Sequence, residues 1–169
     1  AFVNYTYVEK SEDRQEWTIN IGPAQTKLFS TVLPAMFNQV TTLSSVNSES
    51  LPPNVDLILA PTLTDFQYNV PRETKVQMYE VWMKFNVRVF EADGELIADW
   101  ILTAYGKTPS LIIQTKETAL NEAMNVALRD AGAGLSLTFA NVPEVREWIR
   151  SRQKQPVTAS QQPKANSEG

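Results

Sequence analysis

KFNVRVFEADGELIADW, residues 84–100, predicts two antiparallel strands joined by a tight turn. In this stretch and just before it, every odd position from 79 to 89 is apolar, whereas the even positions include Lys84 and Arg88. Because side chains alternate between the two faces of a sheet, this pattern predicts a half-buried strand over residues 76–90. The Asp-Gly pair at 93–94 is a strong hairpin signal, and residues 96–105 supply the return strand.

The turn also predicts how the two strands pair. A two-residue turn at 93–94 places Val89 opposite Ala98 and Phe85 opposite Leu102, and a four-residue loop would keep that register. One face is then wholly apolar. On the second face we expect three pairs: Arg88 with Asp99, Trp82 with Tyr105, and Glu80 with Lys107. A slip of one residue would move a lone carboxylate onto the apolar face, where its burial is costly.

The second face of this hairpin is not purely polar. Its apolar and aromatic members are Trp82, Phe90, Ile97, Ile101 and Tyr105. One interpretation is that a helix or the N-terminal strands cover them. The other is that the face stays partly open as an interface, because aromatic residues beside arginine are typical interface anchors. The interaction residues that we select are Trp82, Arg88 and Tyr105, together with Phe66 and Tyr68 in a preceding loop.

The N-terminal half supplies further strands and one helix. Residues 2–8 and 16–22 are rich in β-branched and aromatic residues and predict two paired strands. Apolar residues four apart from Ala24 to Val40 predict a helix that Pro34 should kink. The almost wholly apolar residues 55–61 are typical of a central strand covered on both sides.

The C-terminal half predicts two helices. Thr115 or a neighbour should cap a long helix over residues 116–131, and Gly132 and Gly134 should loosen its end. Pro143 suits the first turn of a last short helix, which carries Val145, Trp148 and Ile149 on one side. The expected fold class is therefore α+β, with an antiparallel or mixed sheet and two main helices packed on one face. We expect one globular domain over residues 1–150 and a flexible polar tail over 151–169.

Composition excludes several classes of function. The chain of 169 residues has a net charge of −4, which argues against a nucleic-acid partner. It holds no cysteine and no histidine, which excludes thiolate chemistry, disulfides and the commonest general base within this sequence. The aspartates that could form a two-carboxylate hydrolytic site are Asp56, Asp65, Asp93 and Asp99. Asp93 suits the turn, Asp99 faces Arg88 and Asp56 opens an apolar strand, and nothing in the pattern favours a two-carboxylate site. We therefore expect no enzyme, no cofactor and no metal site.

Three segments carry a resemblance to a known class of protein. They are VDLILAPTLTDFQ at 55–67, FEADGELIADW at 90–100 and KETALNEAMNVALRDAGAGL at 116–135. Together they resemble bacterial envelope lipoproteins of the curli-secretion-channel-like and penicillin-binding-protein-activator-like type. The matching positions are Asp56, Asp93-Gly94-Glu95-Leu96, Trp100 and Arg129-Asp130, within residues 55–137. The threonine usual before the turn glycine is absent, and the N-terminal strands do not match.

The resemblance implies an anticodon-binding-domain-like fold and a lipid-anchored protein of the periplasm or outer membrane, with no catalytic residues to transfer. No stretch of this sequence is long and apolar enough for a transmembrane helix, and the chain begins at Ala1 without a methionine. We therefore expect a processed chain, whose membrane link would be a lipid anchor upstream. Its expected partner is a protein of a cell-envelope complex, and a homo-oligomer is compatible with this role.

Two other functions remain open. The chain could carry a small apolar ligand or lipid, for instance as an auxiliary protein of a transport system, in a cavity lined by Phe29, Phe37, Met83 and Phe85. A hydrolase would need Asp56, Asp65 or Asp99 to converge in a cleft.

Overall fold

A computed structural model of the chain describes residues 6–8, 18–43, 51–52, 54–71, 77–110 and 115–154. For the two short N-terminal strands it describes the backbone alone. The strands are β1 (Thr6–Val8), β2 (Thr18–Asn20), β3 (Leu57–Asn69), β4 (Met78–Glu91) and β5 (Leu96–Pro109). The helices are α1 (Gly22–Met36), α2 (Lys116–Thr138) and α3 (Pro143–Lys154), and a 3₁₀ turn at Phe139–Asn141 joins the last two.

The strands form two antiparallel sheets in the described part of the chain. β1 pairs with β2, and β3, β4 and β5 form a second sheet with β4 in the middle. The α+β class and the two predicted hairpins are confirmed. The prediction of a central strand at residues 55–61 is wrong, because β3 lies at the edge of its sheet. An edge strand tolerates Pro61, which has no N–H to donate. The apolar residues at 55–61 reflect partial burial at the edge of the sheet.

The predicted register of β4 and β5 is confirmed from Val89 opposite Ala98 to Glu80 opposite Lys107. The loop itself differs from the prediction. The Glu91 N–H donates to the Glu95 carbonyl at 2.9 Å, which leaves three loop residues, the last being Gly94 with φ +94°. A three-residue loop alone would shift the pairing by one residue. A bulge at Ile97 restores it, because Val89 pairs with Ala98 while Phe90 pairs with Leu96.

The prediction that Ile97 lies on the second face is therefore wrong. It packs against a small apolar cluster at the hairpin end, which contains Val89, Ala98, Phe139 and Val145. The larger core cluster lies further along β4, where Val81, Phe85 and Val87 are fully buried. The Phe29 ring of α1 meets the Phe85 ring edge-on at 6.0 Å.

The glycines of α2 do not end the helix, contrary to the prediction. The helix runs through both of them to Thr138. A Cβ at Gly132 would lie 2.9 Å from Val32 Cγ2 of α1, and one at Gly134 would lie 3.0 Å from Leu102 Cδ1 of β5. These positions thus admit neighbouring side chains close to the helix backbone, and tertiary packing outweighs the roughly 1 kcal/mol propensity cost of glycine. The Thr115 hydroxyl caps the helix by accepting from the Thr118 N–H at 3.2 Å.

The remaining helices differ from the prediction mainly in length. α1 ends at Met36, two residues after Pro34, because Phe37 adopts an extended backbone; Val40 lies beyond the helix and is exposed. α3 begins at Pro143 and buries Val145, as predicted, and continues to Lys154. The predicted division at residue 150 remains a prediction, and residues 155–169 lie outside the described part. The packing of two main helices on one face also remains a prediction.

Candidate functional site

We call the side of the β3–β4–β5 sheet that carries Trp82 and Arg88 the outer face. In the described part of the chain, six large apolar side chains are exposed, and three of them, Trp82, Leu96 and Ile101, belong to the outer face. Ile101 is 55% exposed and Trp82 36%. The opposite face of the same strands is almost fully buried, so these exposed residues mark a surface that this part of the chain leaves uncovered.

Trp82 and Tyr105 form an ordered aromatic pair on the outer face. Their ring centroids lie 5.2 Å apart with the planes tilted by 39°. The Tyr105 hydroxyl donates to Glu80 Oε1 at 2.6 Å, and the Tyr105 N–H donates to Asp130 Oδ2 of α2 at 3.0 Å. This hydrogen bond to the Glu80 carboxylate raises the pKa of Tyr105, with smaller contributions from desolvation and from the carboxylate charge. Tyr105 is thus fixed at both its backbone and its hydroxyl.

Arg88 does not use its predicted partner. The register places it opposite Asp99, but its guanidinium carbon lies 5.8 Å from the centroid of the Phe90 ring, two residues along the same strand. Such a cation–π contact contributes about 0.5–1 kcal/mol at an exposed site. No ion pair joins Arg88 to an acidic side chain among the described residues. Its positive charge therefore stays available on the outer face.

Asn86 lies near the middle of the outer face, paired with Thr62 on one side and Ile101 on the other. Its Oδ1 atom is buried and accepts no hydrogen bond within the described structure. A buried acceptor without a donor costs about 1–3 kcal/mol. A donor supplied from outside this part of the chain would relieve that cost.

The structure separates the predicted interaction residues into two groups. Trp82, Arg88 and Tyr105 share the outer face. Phe66 and Tyr68 do not lie in a loop as predicted; they lie in β3, opposite Met83 and Val81. They point to the inner face because side chains of a strand alternate, and Phe66 is only 2% exposed. They contribute to the core rather than to the outer surface.

Asp65 and Asp99 do not converge. In the strand register, Asp65 of β3 lies opposite Lys84 of β4, and Asp99 of β5 lies opposite Arg88 of β4. Four residues along a strand and two strand spacings separate them by about 17 Å, well beyond the roughly 9.5 Å limit for paired glycosidase carboxylates. Asp93 Oδ1 accepts from the Glu95 N–H at 3.0 Å inside the turn. The described residues contain no group of three acidic side chains that could hold a metal ion.

One polar cluster was missed by the sequence analysis. The Trp148 indole N–H donates to Glu91 Oε1 at 2.6 Å, and Arg152 Nη2 donates to Glu91 Oε2 at 3.0 Å. The Arg152 guanidinium also lies 5.4 Å from the centroid of the Trp148 ring. These hydrogen bonds link α3 to the end of the β4–β5 hairpin. The helical spacing of Trp148 and Arg152 was visible, but nothing in the sequence indicated a partner 57 and 61 residues away.

Comparison with known proteins gives no family. No family model matches the chain, and no curated protein matches it. In the described part of the chain, no helix is both long and apolar enough to cross a bilayer.

The chain is similar to several solved structures at low sequence identity. Protein XCC0632 from Xanthomonas campestris, of the DUF330 family, is 14% identical, with 88% of this chain and 77% of that chain covered and a TM-score of 0.49. A candidate lipoprotein from Caulobacter crescentus CB15 is 12% identical, with 80% and 85% covered and a TM-score of 0.39. The hypothetical protein CT253 from Chlamydia trachomatis is 14% identical, with 86% and 88% covered and a TM-score of 0.38. All three TM-scores lie below 0.5, so these similarities carry no argument about function.

Proposed function

We propose that this chain is a non-catalytic domain of an envelope lipoprotein, which assembles with a protein partner through the outer face. The observation that carries the proposal is the grouping of exposed Trp82, Leu96 and Ile101 on one sheet face with Arg88, which forms no ion pair with another described residue. Tryptophan and arginine are the residues most enriched among interface hot spots.

The dimensions of the outer face suit a small interface. β4 is 14 residues long, so at about 3.4 Å per residue and about 4.8 Å per strand the three-stranded face measures about 690 Å². A standard interface buries about 800 Å² on each partner. The area of the outer face thus lies within the range of about 600–1,000 Å² per partner that specific interfaces of standard size span.

The chemistry of the outer face specifies what a partner should present. Trp82 and Ile101 would contact an apolar patch, and Arg88 would contact a carboxylate. The hydrogen bonds of Tyr105 to Glu80 and Asp130 hold the aromatic pair in place before binding, which lowers the entropy lost on association. We therefore propose a folded protein partner with an apolar centre and an acidic rim.

A site-specific cross-link tests this surface. Ile101→p-benzoylphenylalanine, introduced in the native host, should yield one discrete cross-linked species on irradiation. The matched control is Val126→p-benzoylphenylalanine, because Val126 is an exposed apolar residue on α2 at 40% exposure. The partner, identified by mass spectrometry, should bind the purified chain, and the Trp82→Ala/Arg88→Glu double variant should abolish that binding while its circular dichroism is unchanged. Equal cross-linking from both positions, or undiminished binding of the double variant, would refute the proposed surface. A product of twice the chain mass would identify a second copy as the occupant.

The envelope location rests on the resemblance of residues 55–137 to envelope lipoproteins. It implies a precursor whose signal peptide ends at a lipidated cysteine. Metabolic labelling with a radioactive fatty acid in the native host should therefore label the protein, and replacing that cysteine should release it from the membrane fraction. An unlabelled protein recovered from the cytosol would contradict the envelope location, while leaving the cross-linking result to decide the docking surface.

The carrier of a small apolar ligand remains the alternative, and the described packing does not favour it. Phe29 contacts Phe85 directly, and Phe37 contacts Phe139 at a centroid distance of 5.2 Å in the other apolar cluster. The predicted lining residues are therefore divided between two packed clusters. Native mass spectrometry of the protein purified from its host would decide, because a co-purifying lipid would support the carrier.

A further inference from the structure

The outward side of α3 carries a row of positive charge that the proposed function does not use. Arg146, Arg150 and Lys154 follow one another at intervals of four residues, and all three are exposed. Residues four apart lie on one face of a helix about 6 Å along its axis, so the row is about 12 Å long. The apolar residues Val145 and Ile149 lie on the other side of α3, in or against the hairpin-end cluster. Arg150 and Lys154 therefore point away from the domain, whereas Arg146 lies at the flank of the helix, next to Asn141.

Within the described residues, no member of the row forms an ion pair, but Glu147 lines the same recess and offsets one of its three charges. Arg152, which lies on the inward side, is occupied by Glu91. Arg146 Nη2 contacts only the carbonyl and side-chain oxygens of Asn141, at 3.2 and 3.3 Å, which orient the guanidinium without removing its charge. Arg150 and Lys154 make no ion pair there, although Glu147 borders the row. Like charges four residues apart destabilise a helix, so the row is unfavourable unless an anion faces it.

The helix dipole explains only part of this pattern. A cation in the last turn is stabilised by the negative end of the dipole, which accounts for Lys154. Arg146, however, lies in the first turn, where a cation is disfavoured. The net charge of the whole chain is −4, so the row is a local excess of positive charge on an acidic protein.

We propose that this row of α3 binds the headgroup phosphates of an anionic phospholipid bilayer. The recess along the row is open and is lined by Pro143, Arg146, Glu147, Arg150, Ser151 and Lys154, with no aromatic or large aliphatic side chain among them. A specific protein partner would normally need a desolvated aromatic or aliphatic anchor. A straight row of cations without such an anchor suits a laterally mobile array of phosphates. The proposal does not depend on the outer face.

The test is sedimentation of the full chain with vesicles. Binding should occur to vesicles of equimolar phosphatidylglycerol and phosphatidylcholine and be absent with phosphatidylcholine alone. Each cation near an anionic surface should contribute about a fivefold factor, so Arg146→Gln/Arg150→Gln/Lys154→Gln should weaken binding about 100-fold. Raising the salt from 0.01 M to 1 M shortens the Debye length from about 30 Å to about 3 Å and should release the protein.

The matched control removes the same charge from the outer face, as Lys84→Gln/Arg88→Gln/Lys107→Gln. This variant should bind vesicles as the wild type does, and both variants should keep the wild-type circular dichroism. Equal loss of binding in the two variants would overturn the proposal, because net charge alone would then account for it. Wild-type binding to polyglutamate without binding to the anionic vesicles would also overturn it, in favour of an acidic protein partner. Displacement by inorganic phosphate at constant ionic strength would indicate a site for the free ion and would likewise overturn it.

Discussion

Gly106→Ala should destabilise the protein strongly, because α2 crosses β5 directly over this residue. An added Cβ would lie 2.0 Å from the Ala123 carbonyl oxygen and 2.3 Å from the Ala127 backbone nitrogen. Normal carbon–oxygen contacts begin at about 3.3 Å. The helix must therefore retreat by more than about 1 Å, since these are backbone atoms that cannot rotate aside.

The size of the effect follows from two opposing terms. Overpacking of a buried site typically costs about 1–3 kcal/mol, and a clash with backbone belongs at the upper end of that range. Replacing glycine by alanine also lowers the entropy of the unfolded chain, which stabilises the protein by about 0.4–1 kcal/mol. The free energy of unfolding should thus fall by about 2–3 kcal/mol. For a domain of this size that corresponds to a decrease in Tm of about 4–12 °C.

Urea unfolding, followed by tryptophan fluorescence and far-ultraviolet circular dichroism, measures this change. The matched control is Gly94→Ala in the hairpin loop, where φ is +94° and no atom lies within 4 Å of an added Cβ. That variant should lose only the backbone-strain energy of about 1–2 kcal/mol. If Gly106→Ala unfolds at the same urea concentration as the wild type, or is less destabilised than Gly94→Ala, the close approach of α2 to β5 is refuted.

The same variant should also disturb the outer face. Gly106 follows Tyr105, whose N–H bonds to Asp130 of α2 at 3.0 Å. A retreat of α2 by more than about 1 Å would lengthen this bond beyond the roughly 3.2 Å limit of a good N–H···O contact. The Tyr105 amide should then exchange its hydrogen faster than in the wild type. Unchanged protection would show that α2 and the outer face are not coupled through this bond.

Three further predictions concern single hydrogen bonds. Trp148→Phe removes the donor to Glu91 and should lower the free energy of unfolding by about 1 kcal/mol, with faster amide exchange confined to α3; uniform protection would contradict the role of this bond. Asp130→Ala should expose the Tyr105 amide and speed its exchange, whereas Asp130→Asn, which keeps an acceptor oxygen, should retain most of the protection. The raised pKa of Tyr105 gives a pH effect: stability from the bond to Glu80 is fully present below the ordinary tyrosine pKa of about 10 and is lost as pH rises through the higher folded-state pKa. Glu80→Gln should therefore lower the pKa of Tyr105 in an ultraviolet titration and flatten the loss of stability above about pH 10, and an unchanged titration curve would refute that cause.

The register of β4 and β5 could be predicted because it depends on a local pattern. Six apolar residues at alternating positions exclude a slip of one residue, and the Asp-Gly turn signal at 93–94 selects among the registers that remain. The loop could not be predicted in detail. A two-residue turn and a three-residue loop with a bulge at Ile97 give the same pairing beyond Val89, so the pattern cannot distinguish them. The two differ next to the loop, where Leu96 takes the place opposite Phe90 that was predicted for Ile97, so Ile97 was assigned to the wrong face.

Tertiary packing decided the elements that were predicted wrongly. Gly132 and Gly134 have low helix propensity, yet the side chains of Val32 and Leu102 fit against them in the folded protein. The apolar run that begins β3 was compatible with a central or an edge strand, since burial on one or two sides produces similar short runs. The neighbours of a strand in a sheet depend on contacts between residues distant in sequence, and a single amino-acid sequence does not reveal these contacts.

The candidate site was predictable where it followed from strand pairing and not elsewhere. Trp82 and Tyr105 were placed together because the register placed them opposite each other. Phe66 was assigned to the surface because its strand was expected to end earlier than it does. The partner that Arg88 takes was also missed, since the Phe90 ring two residues away competes with the carboxylate across the strand. An exposed ion pair contributes only about 0–1 kcal/mol, so the two alternatives are close in energy.

The two proposed surfaces lie on different elements and share no residue, and this makes them separable. Val145 of α3 packs with Val89 and Ala98, whose side chains point to the inner face of the sheet. Arg150 and Lys154 lie on the side of α3 away from Val145, whereas Ile101 lies on the other face of the sheet. A bilayer on one surface should therefore not block a protein on the other. The Arg146→Gln/Arg150→Gln/Lys154→Gln variant should lose vesicle binding and keep the cross-link from position 101 at wild-type yield in detergent-solubilised extracts. The Lys84→Gln/Arg88→Gln/Lys107→Gln variant should keep vesicle binding and lose the cross-link, because sites without shared contacts act additively. Loss of both properties in either variant would show that the two surfaces form one site.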